Sequence, residues 1–309
     1  MNTSPLLRVL MFVPVLCMSF GCRSAKAPPP TPQAVSVATR LTTQAETLSQ
    51  QQNWPAAAEE WKKSAEQFGL LNNLPQQAIA LHNQGEAEQE QGHGEGARKL
   101  FNAAAELNQK TGRDSEWWRN QIALLQVDAG LANRSQDLEK RFEELLAKSK
   151  NLNQPLLLAL FQNEVGLWHM HKKDWKDAET AFVSAEKNFQ QVQNAVGIAA
   201  TLANRALLAE ATEQFASAES LWRDALSRHE KLSAPAGIAR SLAGIGRSLL
   251  KQQNKLSESE DFLRRAANNF AVLKLESERK KTLQALAANL KAQGRDADAE
   301  KVLKELQDR

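Results

Sequence analysis

Seven copies of one pattern, about forty residues apart, constrain this chain more than anything else in it. Each copy has a small residue, a large apolar one four places on, and a small or apolar one three places after that. The first position falls on Ala57, Ala97, Leu138, Ala178, Ala218, Ser259 and Ala299, in steps of 40, 41, 40, 40, 41 and 40. The large residues are Trp61, Phe101, Phe142, Phe182, Trp222, Leu263 and Leu303, and the third set is Ser64, Ala104, Leu145, Ala185, Ala225, Ala266 and Leu306. Spacings of four and three put all three positions on one face of a helix. Self-similarity at this period implies a solenoid: each unit is one supersecondary element that buries its apolar face only by stacking on the next. The 309 residues therefore read as one elongated array and not as two ordinary domains.

Composition agrees with helices. The chain is 42% hydrophobic and 24% charged, rich in Ala, Leu, Gln, Glu and Lys, with no long β-branched run. A net charge of +3 offers no concentrated basic surface, which argues against nucleic acid as a partner. Cys17 and Cys22 are the two cysteines, so the array has no disulfide, thiol nucleophile or thiolate metal site.

Residues 1–21 read as an export signal. Arg8 and the terminal amine precede an apolar run from Val9 to Phe20, shorter than the ~20 residues a membrane span needs. Ser19-Phe20-Gly21-Cys22 closes it and resembles the lipobox of bacterial lipoproteins. The glycine and cysteine match, whereas Ser19 and Phe20 depart from the usual Leu-Ala/Ser. The resemblance implies lipid attachment at Cys22; the plainer alternative is a simple secretory signal. Residues 22–36, with Pro28-Pro29-Pro30 and Pro32, form a semi-rigid tether. Arg23 stands where an aspartate commonly retains such lipoproteins at the inner membrane. The resemblance thus implies an outer-membrane anchor facing the periplasm.

From residue 37 to 309 the chain reads as helical hairpins, with the repeating signature on the second helix of each. On the first helix, Ala45, Gly85, Gly166, Ala206, Gly246 and Ala287 stand twelve or thirteen residues before the marker, and their small size lets the helices approach closely. Repeat three has Leu125 or Gln126 there. Gln52, Gly92, Asn133, Lys173, Glu213, Asn254 and Gly294 precede the marker by five; Gly and Asn in four of the seven suit a left-handed helix end. Asp174 and Asp296 are placed to cap second helices. Pro75, Pro155 and Pro235 each begin a first helix.

These features resemble the tetratricopeptide repeat, a helix–turn–helix unit with a small residue on the first helix and an Ala…Phe…Ala pattern on the second. The period here is longer than the usual ~34 residues, which fits longer helices. The turn aromatic of such repeats persists as Trp54, Trp175 and Phe215. The resemblance implies an all-α solenoid of about seven hairpins in a right-handed superhelix, whose first helices line a concave face that binds a protein or peptide. Phasing the first helices places Glu46, Glu86 and Glu90 on that face early in the chain, and Asn204, Arg240, Arg247, Lys251, Lys281 and Lys291 late. Asn204 and Arg240 match two places of the carboxylate clamp of chaperone-binding repeats. Leu167 and Gly244 occupy two others, so that activity is not implied.

No constellation supports catalysis, a metal or a cofactor. His169 and His171, two apart on a helix, diverge by about 200° and cannot chelate together. Gly92-His93-Gly94-Glu95-Gly96 lacks the preceding strand and the Lys-Ser/Thr of a phosphate loop and reads as a hairpin turn. Carboxylate pairs such as Glu59-Glu60 splay around a helix. Trp117, Trp118 and Trp168 are not claimed by repeat positions, and they are candidate aromatic anchors. The expected function is a lipid-anchored envelope scaffold that docks a protein on its concave face. The alternative is a peptidoglycan- or glycan-fragment binder that uses those tryptophans.

Overall fold

The computed structural model describes residues 33–130, 135–253 and 255–304. Its helices are α1 (Gln33–Gln50), α2 (Trp54–Leu70), α3 (Leu74–Glu90), α4 (Gly94–Lys110), α5 (Asp114–Asp128), α6 (Ser135–Ser149) and α7 (Pro155–Lys172). They continue as α8 (Trp175–Gln191), α9 (Ala195–Ala211), α10 (Phe215–Lys231), α11 (Pro235–Gln252), α12 (Leu256–Val272), α13 (Glu276–Ala292) and α14 (Asp296–Lys304). No strand occurs among the described residues. Consecutive pairs make the seven expected hairpins. Residues 33–36, expected in the tether, are already helical. The signal and Cys22 lie outside the described residues. The chain divides into two compact units, one ending at Leu152 and one beginning at Asn153.

A twenty-residue rhythm underlies the forty. Most helices have 17 residues and are joined by three-residue turns, whether the turn lies inside a hairpin or between two. A left-handed residue recurs in these turns: Gln52, Asn72, Gly92, Gly112, Lys173, Gln193, Glu213, Ser233, Gln253, Lys274 and Gly294. The next residue's N–H reaches back five places, as from Asn53 to the Leu48 carbonyl, Asn73 to Phe68 and Asp174 to His169, each 2.9 Å. This 6→1 bond is the Schellman helix ending. The same residue then starts the following helix, its carbonyl accepting the N–H four places on, as Asn53 does from Ala57 at 2.9 Å.

Asn133 and Asn254, expected at left-handed helix ends, lie outside the described residues; in repeat six Gln253 is left-handed. The expectation of side-chain caps is corrected. Asp174 precedes α8 but makes no side-chain cap; its carboxylate turns to His169 Nδ1 at 3.5 Å. Asp296 is the first residue of α14 and contributes charge near the helix N-terminus instead of a cap. Side-chain caps come from Asn73, to the Gln76 N–H at 3.3 Å, and Asn194, to Gly197 at 2.7 Å. Pro75, Pro155 and Pro235 open α3, α7 and α11 as expected.

Within each unit the signature residues build the core. Ala57, Ala97, Ala178, Ala218, Ser259 and Ala299 are buried, as are Trp61, Phe101, Phe142, Phe182, Trp222 and Leu263; Leu138 is half-buried. The small first-helix residues are where the helices meet. A methyl group at Gly85 would lie 2.7 Å from the Phe101 ring, and one at Gly246 would lie 2.6 Å from Leu263 Cγ. Gly166 is overlain by Phe182 in the same way. Thus in repeats two, four and six the large residue of the second helix seats on the small residue of its own first helix.

Polar contacts tie successive hairpins. Arg205 of α9 grips Glu179 (2.6 Å) and Glu186 (2.7 Å) of α8. Gln252 of α11 donates to Glu219 of α10 at 2.9 Å, and one repeat later Gln293 donates to Glu260 at 3.1 Å. In the first unit, buried Asp128 accepts from Arg98 at 2.8 Å, with Arg141 3.6 Å away.

Candidate functional site

The first helices carry the residues expected to meet a partner, and they divide by accessibility. Lys251 on α11 and Lys281 and Lys291 on α13 are exposed and have no ion pair among the described residues. Lys251 and Lys291 share one register, eight residues before the markers Ser259 and Ala299. In the first unit, Glu46 and Glu90 are exposed, and Glu86 lies 3.3 Å from His82 Nε2.

Three expected contacts are otherwise engaged. Asn204 is 1% exposed; its amide donates to Asn163 Oδ1 at 3.0 Å, beside Thr201 at 3.4 Å from the same oxygen. It belongs to the packing between α7 and α9 and does not line an open face. The cause is α9 itself, where Ile198, Ala199, Ala200, Leu202, Ala203 and Ala206 bury every side of the helix. Arg247 forks onto Glu210, through Nε at 3.2 Å and Nη2 at 3.1 Å. Glu210 also accepts the Trp222 indole N–H at 2.6 Å. Arg240 is half-buried, with Nη2 4.0 Å from Glu278. The other two clamp places, Leu167 and Gly244, are buried apolar contacts.

The spare tryptophans are only partly open. Trp118 is 6% exposed and meets Trp117 edge-on at 5.5 Å. Trp117 and Trp168 are half-buried, and each has an ammonium over its ring: Lys148 at 4.7 Å and Lys172 at 4.8 Å. A sugar ring stacking there would have to displace the lysine.

Among the described residues no three potential ligands gather to hold a metal ion. His171 is exposed while His169 turns to Asp174. No described helix is long and apolar enough to cross a membrane.

One residue escaped the sequence reading. Eleven places after the marker stand Phe68, Asn108, Phe189, His229 and Phe270, all buried at the foot of their second helices. His229 is 4% exposed, with Nδ1 3.0 Å from Ser241 Oγ. Burial, assisted by the nearby Arg240 charge, pushes its pKa down to about 4. Extending the repeat register from four and seven to eleven would have exposed it as a histidine in an aromatic slot.

A tetratricopeptide-repeat family model matches residues 198–235, which run from α9 through α10. No curated protein matches the sequence. Solved structures match the fold. The apo quorum sensor NprR from B. thuringiensis superposes with a TM-score of 0.71 at 14% identity, over 89% of this chain and 77% of that one. RapI in its apo form gives 0.66 at 12% identity, over 88% and 97%. A Rap protein complexed with Competence and Sporulation Factor gives 0.62 at 12%, over 87% and 78%. At these identities the likeness establishes a solenoid of tetratricopeptide-like hairpins.

Proposed function

We propose that this chain is a bacterial envelope scaffold that docks a protein or peptide partner on its first-helix faces and is held at the membrane by lipid on Cys22. The observation that carries the docking reading is the trio Lys251, Lys281 and Lys291. They stay exposed and, among the described residues, without an ion pair on α11 and α13, while the apolar residues of those helices are spent on stacking. That surface suits an acidic segment of a partner. One of the similar solenoids, the Rap protein, was solved with Competence and Sporulation Factor bound, which supports the choice of a partner-binding role. The anchor rests on the Gly21-Cys22 junction, and the outer-membrane, periplasm-facing assignment rests on Arg23 after it. No reaction is assigned.

Two experiments separate anchor from docking. Cys22→Ser is expected to move the protein from membrane to soluble fractions; unchanged sedimentation would refute the anchor. Photo-crosslinkers at positions 251, 281 and 291 in the native envelope should capture one common acidic protein, and one at exposed Asp224 on α10 should not. Equal capture from Asp224 would refute the docking face.

A further inference from the structure

His229 fills a slot that three other repeats give to phenylalanine (Phe68, Phe189 and Phe270), and the surroundings are built for a ring. One repeat earlier, Phe189 of α8 lies against Gly197 of α9; His229 of α10 lies against Gly237 of α11 in the same way, leaving no room for a Cβ at either glycine. Thr201, the counterpart of Ser241, is equally buried. Shape is therefore conserved from one junction to the next, while the chemistry changes from an inert ring to an ionisable one.

The elements that pack closely on α10 are α9 and α11, and α12 reaches it through Glu258, which holds Arg223 at 2.6 Å, and through Phe262 under the same guanidinium. From α11 the facing charge is Arg240, itself 4.0 Å from Glu278 of α13. The near half of α9, Ala195 to Asn204, contains no ionisable side chain. On α10 itself Arg228, Glu230 and Lys231 flank His229 in sequence. Ser241 Oγ is the ring's one hydrogen-bond partner among the described residues. A second proton on this ring would sit buried beside a guanidinium with no carboxylate in contact, a costly state.

We propose that the junction between the fifth and sixth hairpins is an acid-sensitive joint, which opens when His229 takes up a proton and frees α11 and the hairpins after it from α10. In a solenoid such an opening stays local, because each hairpin is held by its neighbours and not by a common core. The inference does not depend on the docking reading, although it would move the helices that carry Lys251, Lys281 and Lys291.

The sign follows from linkage. His229 binds its proton less readily folded than open, so the closed junction is fully favoured above the unfolded pKa and weakens as pH falls from 6.5 towards 4. At pH 5 the opening equilibrium is expected to rise about thirtyfold over its value at pH 7.5.

Hydrogen exchange on the mature chain at pH 7.5 and pH 5, corrected for intrinsic rates, reads this directly. The Ala234 and Ile238 amides, bonded to the carbonyls of His229 and Ala234, should lose about thirtyfold of their protection. The equivalent Asn194 and Ile198 amides should hold theirs. His229→Phe, which gives this repeat the residue of Phe68, Phe189 and Phe270, should abolish the loss, as should the neutral His229→Gln if the phenylalanine variant folds poorly. Unchanged protection in the native chain, or the same acid response in either variant, would overturn the joint.

Discussion

Trp222 shows how one side chain can serve both packing and polar order. It is fully buried, its indole stacks on the bare backbone of Gly244, and its N–H donates to Glu210 at 2.6 Å, which in turn holds Arg247 of the next hairpin. Trp61 repeats the arrangement with Ser49 as acceptor at 3.1 Å. The acceptor lies twelve residues upstream in both, and the two tryptophans are the signature positions that need one. Trp222→Ala removes a large ring and strands the Glu210–Arg247 pair, so a loss of ~3–5 kcal/mol is expected. Trp222→Phe keeps most of the ring and gives up the hydrogen bond, a loss of ~1–2 kcal/mol. Chemical denaturation should rank them in that order. Equal losses would mean that the ring volume contributes little and the proposed seating is wrong.

At the scale of the helix, the sequence announced what repeats and hid what pairs across repeats. Ala178, Phe182 and Ala185 were legible because stacking imposes the same size at the same place in every copy. Gly85 and Gly166, opposite Phe101 and Phe182, are legible for the same reason, whereas Gly244 opposite Trp222 and Gly197 opposite Phe189 are not. The turns were half legible: Gly92 and Gly294 advertise a left-handed conformation, whereas Gln52, Lys173 and Glu213 adopt it because two packed helices must be joined in three residues. The face expected to bind a partner was least legible. Arg240 and Arg247 find Glu278 and Glu210 on neighbouring hairpins, 38 and 37 residues away, and no local pattern predicts such a match. Phasing the first helices puts Asn204 on an open face, but the middle of α9 is buried on every side. These cross-hairpin contacts also carry a pH dependence distinct from that of His229. Burial raises the pKa values of Glu219 and Glu260, yet hydrogen bonds from Gln252 and Arg223 to the one, and from Arg264 and Gln293 to the other, overcome it and hold both below the ordinary carboxylate value. Their contribution is present above the unfolded value of 4.5 and is lost below it. That window begins at the acid end of the one in which the His229 junction responds.

For the whole molecule the decisive fact is that, within each unit, contacts run between successive helices, with only slight direct contact between first helices such as α7 and α9. Stability is then a sum of hairpin terms and nearest-neighbour terms, and no step commits the entire chain at once. A single compact domain would unfold in one transition whose van't Hoff enthalpy equals the heat absorbed. Here the heat should be divided among smaller cooperative blocks, so the van't Hoff enthalpy of the mature chain is expected to fall clearly below the calorimetric one. Trp222→Ala should sharpen the contrast, because it weakens one junction within the second unit and leaves hairpins one and two with all their own contacts, centred on Trp61 and Ala57. Differential scanning calorimetry of both proteins decides the matter. Equal enthalpies in the native chain, or one transition that shifts as a whole in the variant, would mean that the hairpins fold as one cooperative body, and a local opening at His229 would then have no separate existence.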